Sequence, residues 1–141
     1  MSELTAHLDL PLDVEAPAAA RRAVTAVLGS WGFHDPVWLE TAAIVVSELV
    51  TNAVRHGGGA VALAVEAHDE RVVLCVADGS SVVPRHREPG GDGGRGLAVI
   101  EALAARWDVR DHQGGKQVLV QLEPYPGPLP TRSGSGRAET A

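Results

Sequence analysis

A chain of 141 residues, 45% hydrophobic and 21% charged, has room for one domain and the composition of a globular one. Its 12 basic against 18 acidic residues, a net of −6, argue against a protein built mainly to grip nucleic acid phosphates or an anionic membrane. The lone cysteine, Cys75, excludes an internal disulfide and any multi-cysteine zinc site. It sits in the apolar run 72–77 and reads as a buried, inert thiol. The N-terminus lacks a basic segment followed by an apolar one, so no signal peptide is expected. The apolar stretches read as too short to span a bilayer, and a cytoplasmic protein follows as the default.

In chain order, His7-Leu8-Asp9-Leu10-Pro11-Leu12 alternates and predicts a short edge strand, the one place where Pro11 is tolerated. Pro17 opens a helix over 16–28, with Ala20, Val24, Val27 and Leu28 inward and Gly29 closing it. Asp35 is the expected N-cap of a second helix running to His56, which Gly57-Gly58-Gly59 ends. Trp38, Ala42, Val45, Leu49 and Ala53 recur on it at helical spacing. Two β-rich runs, 60–67 and 71–77, are joined by His68-Asp69-Glu70 and predict a hairpin. Periodicity then dissolves in DGSSVVPRHREPGGDGGRG, which reads as a functional lid or a disordered segment; as a lid it is expected to be mobile over 80–94 until a nucleotide orders it. A third helix is expected over 97–106, with Leu97, Ile100, Leu103 and Ala104 inward. A second hairpin of 107–111 and 117–122 follows, turning at 112–116. The domain is expected to end at 123, with 124–141 a disordered tail rich in Pro, Gly and Ser. The layout is α+β: a two-layer sandwich of a mostly antiparallel mixed sheet with helices packed on one face.

Glu48, Asn52 and His56 are spaced by four and form one polar stripe on an otherwise apolar helix. An amide oxygen suits Mg²⁺, and a carboxylate one turn away can orient or deprotonate a nucleophile. The stripe also fits a capped, solvated helix end with Glu48 paired to Arg55 or another basic group. Asn52 is the only asparagine in a chain whose composition suggests a GC-rich genome. Gly93-Gly94-Arg95-Gly96-Leu97 precedes the third helix, where bare N–H groups bind anions; a plain flexible connector fits equally. Gly91-x-Gly93-x-x-Gly96 matches the dinucleotide fingerprint literally, but no strand directly precedes it and no parallel βαβ unit surrounds it. Asp78-Gly79 ends a buried strand, where the carboxylate either caps the turn or meets a polar ligand. The remaining histidines show no metal spacing, and GxSxG is absent.

The order of these motifs is more specific than any one of them. A helix with ExxxN leads to a hairpin ending in Asp, then to a glycine-rich stretch with GRGL. A helix and a hairpin bearing Gly115-Lys116-x-Val118 complete the series. This resembles the ATPase module shared by gyrase, the ninety-kilodalton heat-shock chaperone, histidine kinases and the mismatch-repair ATPases. SELVTNAVRHGGG and GGRGLAVIEALAARWDV look most like the stand-alone anti-sigma-factor serine/threonine kinases and their actinomycete relatives. The resemblance covers roughly residues 8–122.

It implies roles. Asn52 resembles the residue that holds Mg²⁺ against the phosphates of ATP, and Glu48 the carboxylate that activates the attacking hydroxyl. Asp78, followed by Gly79, resembles the aspartate that accepts from the adenine amino group. Gly94, Arg95, Gly96 and Leu97 match the segment that closes over the phosphates. Two positions depart from the pattern, both assigned to the base pocket: Asp78-Gly79-Ser80-Ser81 replaces DxGxG, and Gln117 stands where relatives commonly carry Thr. The implied activity is protein-serine/threonine phosphorylation, with a sigma factor and an antagonist protein as partners and a homodimer as an expected assembly. Two rivals stand beside it: a non-catalytic module that sequesters a regulator, and a metabolic enzyme of unrelated α+β type. Phosphate transfer and nucleotide binding separate the three.

Overall fold

The chain runs β1 (Glu3–Leu10), α1 (Ala16–Ser30), α2 (Pro36–His56), β2 (Val61–His68), β3 (Arg71–Asp78), α3 (Gly94–Leu103), β4 (Ala104–His112) and β5 (Gly115–Leu122). The computed structural model describes residues 3–10, 13–56, 61–78, 94–112 and 115–130. The sheet order is β1-β2-β3-β5-β4, and all four pairings are antiparallel. β1 is an edge strand, as expected, and ends at Leu10, before Pro11. A sheet covered on one face must alternate. β2 buries Val61, Leu63, Val65 and Ala67, β3 buries Val72, Leu74 and Val76, and β5 buries Val118, Val120 and Leu122. The registers Leu63↔Val76 and Val76↔Val118 put these side chains on one face, under the helices. The α+β sandwich expected from the sequence is the one that forms.

α2 is the central helix. Val45, Val46, Val50 and Ala42 are fully buried in it, and it contacts α1, α3, β2 and β3. Asp35 caps it, its Oδ2 accepting from the Trp38 N–H at 2.9 Å. Its residues Pro36–Arg55 are, by length and composition, long and apolar enough to cross a membrane, which corrects the expectation that no stretch reaches that length. Burial explains the composition: a helix packed against a sheet on one side and two helices on its flanks needs apolar residues around much of its circumference.

Several boundaries moved. α1 continues through Gly29 to Ser30, and Gly32, at φ +99°, takes the left-handed position instead. The Phe33 N–H reaches the Leu28 carbonyl and the Gly32 N–H the Gly29 carbonyl, a Schellman closure in which Phe33 packs onto the core. α3 starts three residues earlier and stops at Leu103, because β4 begins at Ala104 with no connector. β5 begins at Gly115, so Lys116 belongs to the strand and not to the turn.

Beyond β5, Tyr125 and Pro130 return to the turn between α1 and α2, Pro130 lying over Gly32. Tyr125 meets Phe33 and Trp38 edge-on, at 5.0 and 4.9 Å between ring centroids. Its hydroxyl accepts from the His34 and Asp35 N–H groups. The rest of the expected tail, 131–141, lies outside the described residues.

Candidate functional site

Strand direction decides which motifs share a neighbourhood. β3 ends at Asp78 and β5 begins beside it, with Asp78 opposite Lys116. β2 starts at this same end, since Ala62 pairs with Ala77. Only residues 57–60 join His56 to Val61, a span of at most roughly 18 Å, so the C-terminal end of α2 belongs to this end of the sheet. α3 passes directly into β4, whose first residue, Ala104, lies opposite Leu122 at the far end. A ten-residue helix is about 15 Å long, so Gly94, its first residue, returns toward the Asp78 end. α2 and α3 are in contact. The last turns of α2, the first turn of α3 and the Asp78–Lys116 pair therefore converge on one end of the two-layer structure.

Glu48 and Asn52 are half-buried on α2, beside the buried Val45, Leu49 and Ala53. They lie one turn apart at the border of the core. Among the described residues no ion pair engages Glu48, and the Glu48–Arg55 pairing does not form. His56 ends the same helix. Gly94, Arg95, Gly96 and Leu97 form the first turn of α3 instead of a loop ahead of it. Gly79 and the expected lid up to residue 93 lie outside the described residues.

Asp78 and Lys116 form a buried ion pair that the sequence reading did not foresee. Lys116 Nζ donates to Asp78 Oδ1 at 3.1 Å and to Oδ2 at 3.0 Å, and both side chains are almost fully enclosed. Removing one member of such a pair typically costs about 3–5 kcal/mol, because the other charge is stranded. Gln117 pairs with Ala77 and points to the opposite face of the sheet from Asp78. The β5 residue beside Asp78 is Lys116. Two signals pointed there: Lys116 is the chain's only lysine, and it stands one position outside an apolar alternation of Val118, Val120 and Leu122.

The face of the sheet away from the helices carries two further titrating groups. Burial pushes the Cys75 thiol up to about 11, so it is protonated at neutral pH, as an inert thiol should be. His68 bridges Glu66 at 3.2 Å and Glu3 at 3.3 Å, and the Glu66 hydrogen bond first, with help from Glu3, raises its pKa. Among the described residues no cluster of three or more His, Cys, Asp or Glu side chains could hold a metal ion. The donor set nevertheless fits Mg²⁺ in the form it takes beside phosphates, where one or two protein oxygens suffice. Asn52 offers a hard amide oxygen at a half-buried position, with a carboxylate one turn before it.

An open antiparallel sheet backed by helices, with a polar helix stripe and a helix N-terminus at one end, defines the histidine-kinase-like ATPase fold. The chain belongs to the histidine kinase-like ATPase domain family, whose model matches residues 10–122. Among solved structures it is similar to the RsbU and RsbW domains of Rv1364c from Mycobacterium tuberculosis, with TM-score 0.65, 22% identity, and coverage of 86% of this chain and 32% of that one. It is also similar to the histidine kinase domain of the blue-light activated histidine kinase from Erythrobacter litoralis EL346, with TM-score 0.51, 22% identity, and coverage of 82% and 62%. At this identity both likenesses show the fold, and the chain spans less than two thirds of either protein. The comparison with curated proteins found no match.

Proposed function

We propose that this chain is a cytoplasmic, ATP-binding serine/threonine protein kinase of the anti-sigma type. It would bind a sigma factor and phosphorylate an antagonist protein. The observation that carries the nucleotide reading is the convergence of the Glu48–Asn52 stripe, the first turn of α3 and Asp78 on one end of the sheet, in a family of ATPase domains. The anti-sigma branch rests on the sequence resemblance of residues 47–59 and 93–109.

Asn52 would hold Mg²⁺ through its amide oxygen. The ion, when bound, neutralises charge on the phosphates during transfer. The N–H groups of Gly94, Arg95 and Gly96, at the first three positions of the helix, have no carbonyl partner within it and suit phosphate oxygens. Asp78 would accept from the base amino group, as its place in the sequence resemblance implies. Glu48, one turn before Asn52, takes up the proton of the acceptor serine or threonine hydroxyl as that oxygen attacks. The half-buried position of Glu48 keeps it within reach of that end without enclosing it.

The test is Glu48→Gln, with nucleotide affinity and phosphate transfer to candidate antagonist proteins measured on one preparation. The variant is expected to bind ATP normally and to lose transfer by on the order of 10²–10⁴-fold. Full transfer by the variant removes Glu48 as the base. Sigma-factor binding without transfer by the unmodified protein marks the non-catalytic sequestering module instead.

A further inference from the structure

The face of the sheet away from the helices has an apolar middle and charged edges. The strand registers set its residues in rows across the sheet. One row runs Asp9, Ala62, Ala77, Gln117, Arg110. The next runs His7, Ala64, Cys75, Leu119, Asp108, and the third Thr5, Glu66, Val73, Gln121, Arg106. A sheet face left to water is expected to be polar throughout. Here the three inner strands carry Ala62, Ala64, Val73, Cys75, Ala77 and Leu119 instead. The charges are sorted by edge. β1 and β2 hold the carboxylates Glu3, Asp9 and Glu66, with His7 and His68 among them; β4 holds Arg106 and Arg110, with Asp108 between them. Arg110 meets Asp108 at 3.6 Å, with the two side chains 63% and 66% exposed, so both extend from the face. A hollow of about 430 Å³ opens over the β4 half, with Val73, Leu119, Gln121 and Arg106 in its lining.

We propose that two copies of this chain pack face to face through this surface, about a two-fold axis parallel to β3. β3 is the central strand, so the axis lays β1 of each copy over β4 of the other, and β2 over β5. Rows stay in register because the axis runs along the strands. Asp9 then faces Arg110 of the second copy, His7 faces Asp108, Glu66 lies beside Arg106, and symmetry makes each contact twice. The apolar middles meet at the axis, inside a charged rim. An axis across the strands would lay β4 over β4 and set Arg110 against Arg106, so the charges select one orientation. Stacked sheets lie about 10 Å apart, a gap that an aspartate and an arginine side chain span together. Such sheets cross at about 30°, which shifts the outermost strands by about 5 Å, within the reach of an arginine. Arg71, also on this face, lies at the β2–β3 turn, where the crossing carries the two copies apart. Five strands about 4.8 Å apart, with rows spread over roughly 20 Å, give each copy roughly 500 Å² of flat face. The pair therefore buries on the order of 1,000 Å², the least that a specific interface needs. Both Asp78 ends point the same way in this dimer, so one partner protein can reach both. The inference stands whether or not the chain binds nucleotide.

The experiment is analytical ultracentrifugation of the full chain from low micromolar to near-millimolar concentration. The unmodified protein is expected to sediment as a dimer. Arg110→Asp and Asp9→Arg each bring like charges together twice per dimer, and each is expected to weaken association on the order of a hundredfold or more. Asp9→Arg combined with Arg110→Asp is expected to restore the dimer. The two residues lie on opposite edges of one sheet, four strand spacings or about 19 Å apart, so the swap rescues only a contact between copies. Both side chains are exposed, and circular dichroism checks that each variant is folded. Single reversals that leave the dimer intact, or a double reversal that stays monomeric, overturn the proposed packing. An unmodified chain that is monomeric at every concentration also overturns it, and leaves the face to a different protein.

Discussion

Tyr125 ties the C-terminal extension to the turn between α1 and α2, and removing its hydroxyl isolates that tie. The oxygen accepts from the His34 N–H at 3.0 Å and the Asp35 N–H at 2.9 Å. Asp35 in turn caps α2, and the Trp38 indole N–H donates to the Glu123 carbonyl at 2.9 Å. Tyr125→Phe keeps the ring between Phe33 and Trp38 and deletes the shared acceptor. His34 is exposed, so water replaces its lost bond; Asp35 is half-buried and is replaced less well. One bond fully lost and one partly recovered come to about 1–2 kcal/mol. For a domain of this size that lowers the melting temperature by roughly 3–8 °C. Truncation after Glu123 removes the ring as well, with its two aromatic contacts and the Pro130 packing over Gly32. Loss of a large aromatic side chain from such a cluster costs about 3–5 kcal/mol. Thermal and urea unfolding followed by circular dichroism measures both variants. A truncated chain that melts with the full-length protein would refute the reasoning.

Asn52→Ala is expected to abolish Mg²⁺-dependent ATP affinity in calorimetric titration with an unchanged melting temperature, because the side chain is half-buried and its loss opens no large cavity. Unchanged Mg²⁺ dependence would remove the metal assignment. His68, whose folded pKa is raised, contributes stability that is fully present below its unfolded value near 6.5 and lost as pH rises through the folded value. Its side chain is a third exposed, so the contribution stays under about 1 kcal/mol. His68→Ala should flatten the decline in stability above pH 6.5, read by urea unfolding; a variant with the same pH profile would count against the bridge. Cys75, buried with its pKa pushed up to about 11, should resist a thiol reagent at pH 7.5 in the folded state and react at once in denaturant. Prompt labelling of folded protein would contradict that environment.

Local patterns carried most of the fold. The Trp38-Ala42-Val45-Leu49-Ala53 spacing and the Asp35 cap defined α2 because helix periodicity and capping act within a turn or two. The alternation in β2 and β3 defined their hairpin for the same reason. The stripe of Glu48 and Asn52 was legible as spacing on one helix. Boundaries failed where tertiary contacts decide: Gly32 closes α1 because Phe33 must enter the core, and 123–130 is ordered because Tyr125, Trp38 and Phe33 meet across some ninety residues of chain. The Asp78–Lys116 pair belongs to this second kind. Each residue is ordinary in its own strand, and 38 positions separate them. Only the pairing register of β3 with β5 fixes that Lys116, and not its neighbour Gln117, faces Asp78, since a slip of one residue turns every side chain to the other face of the sheet.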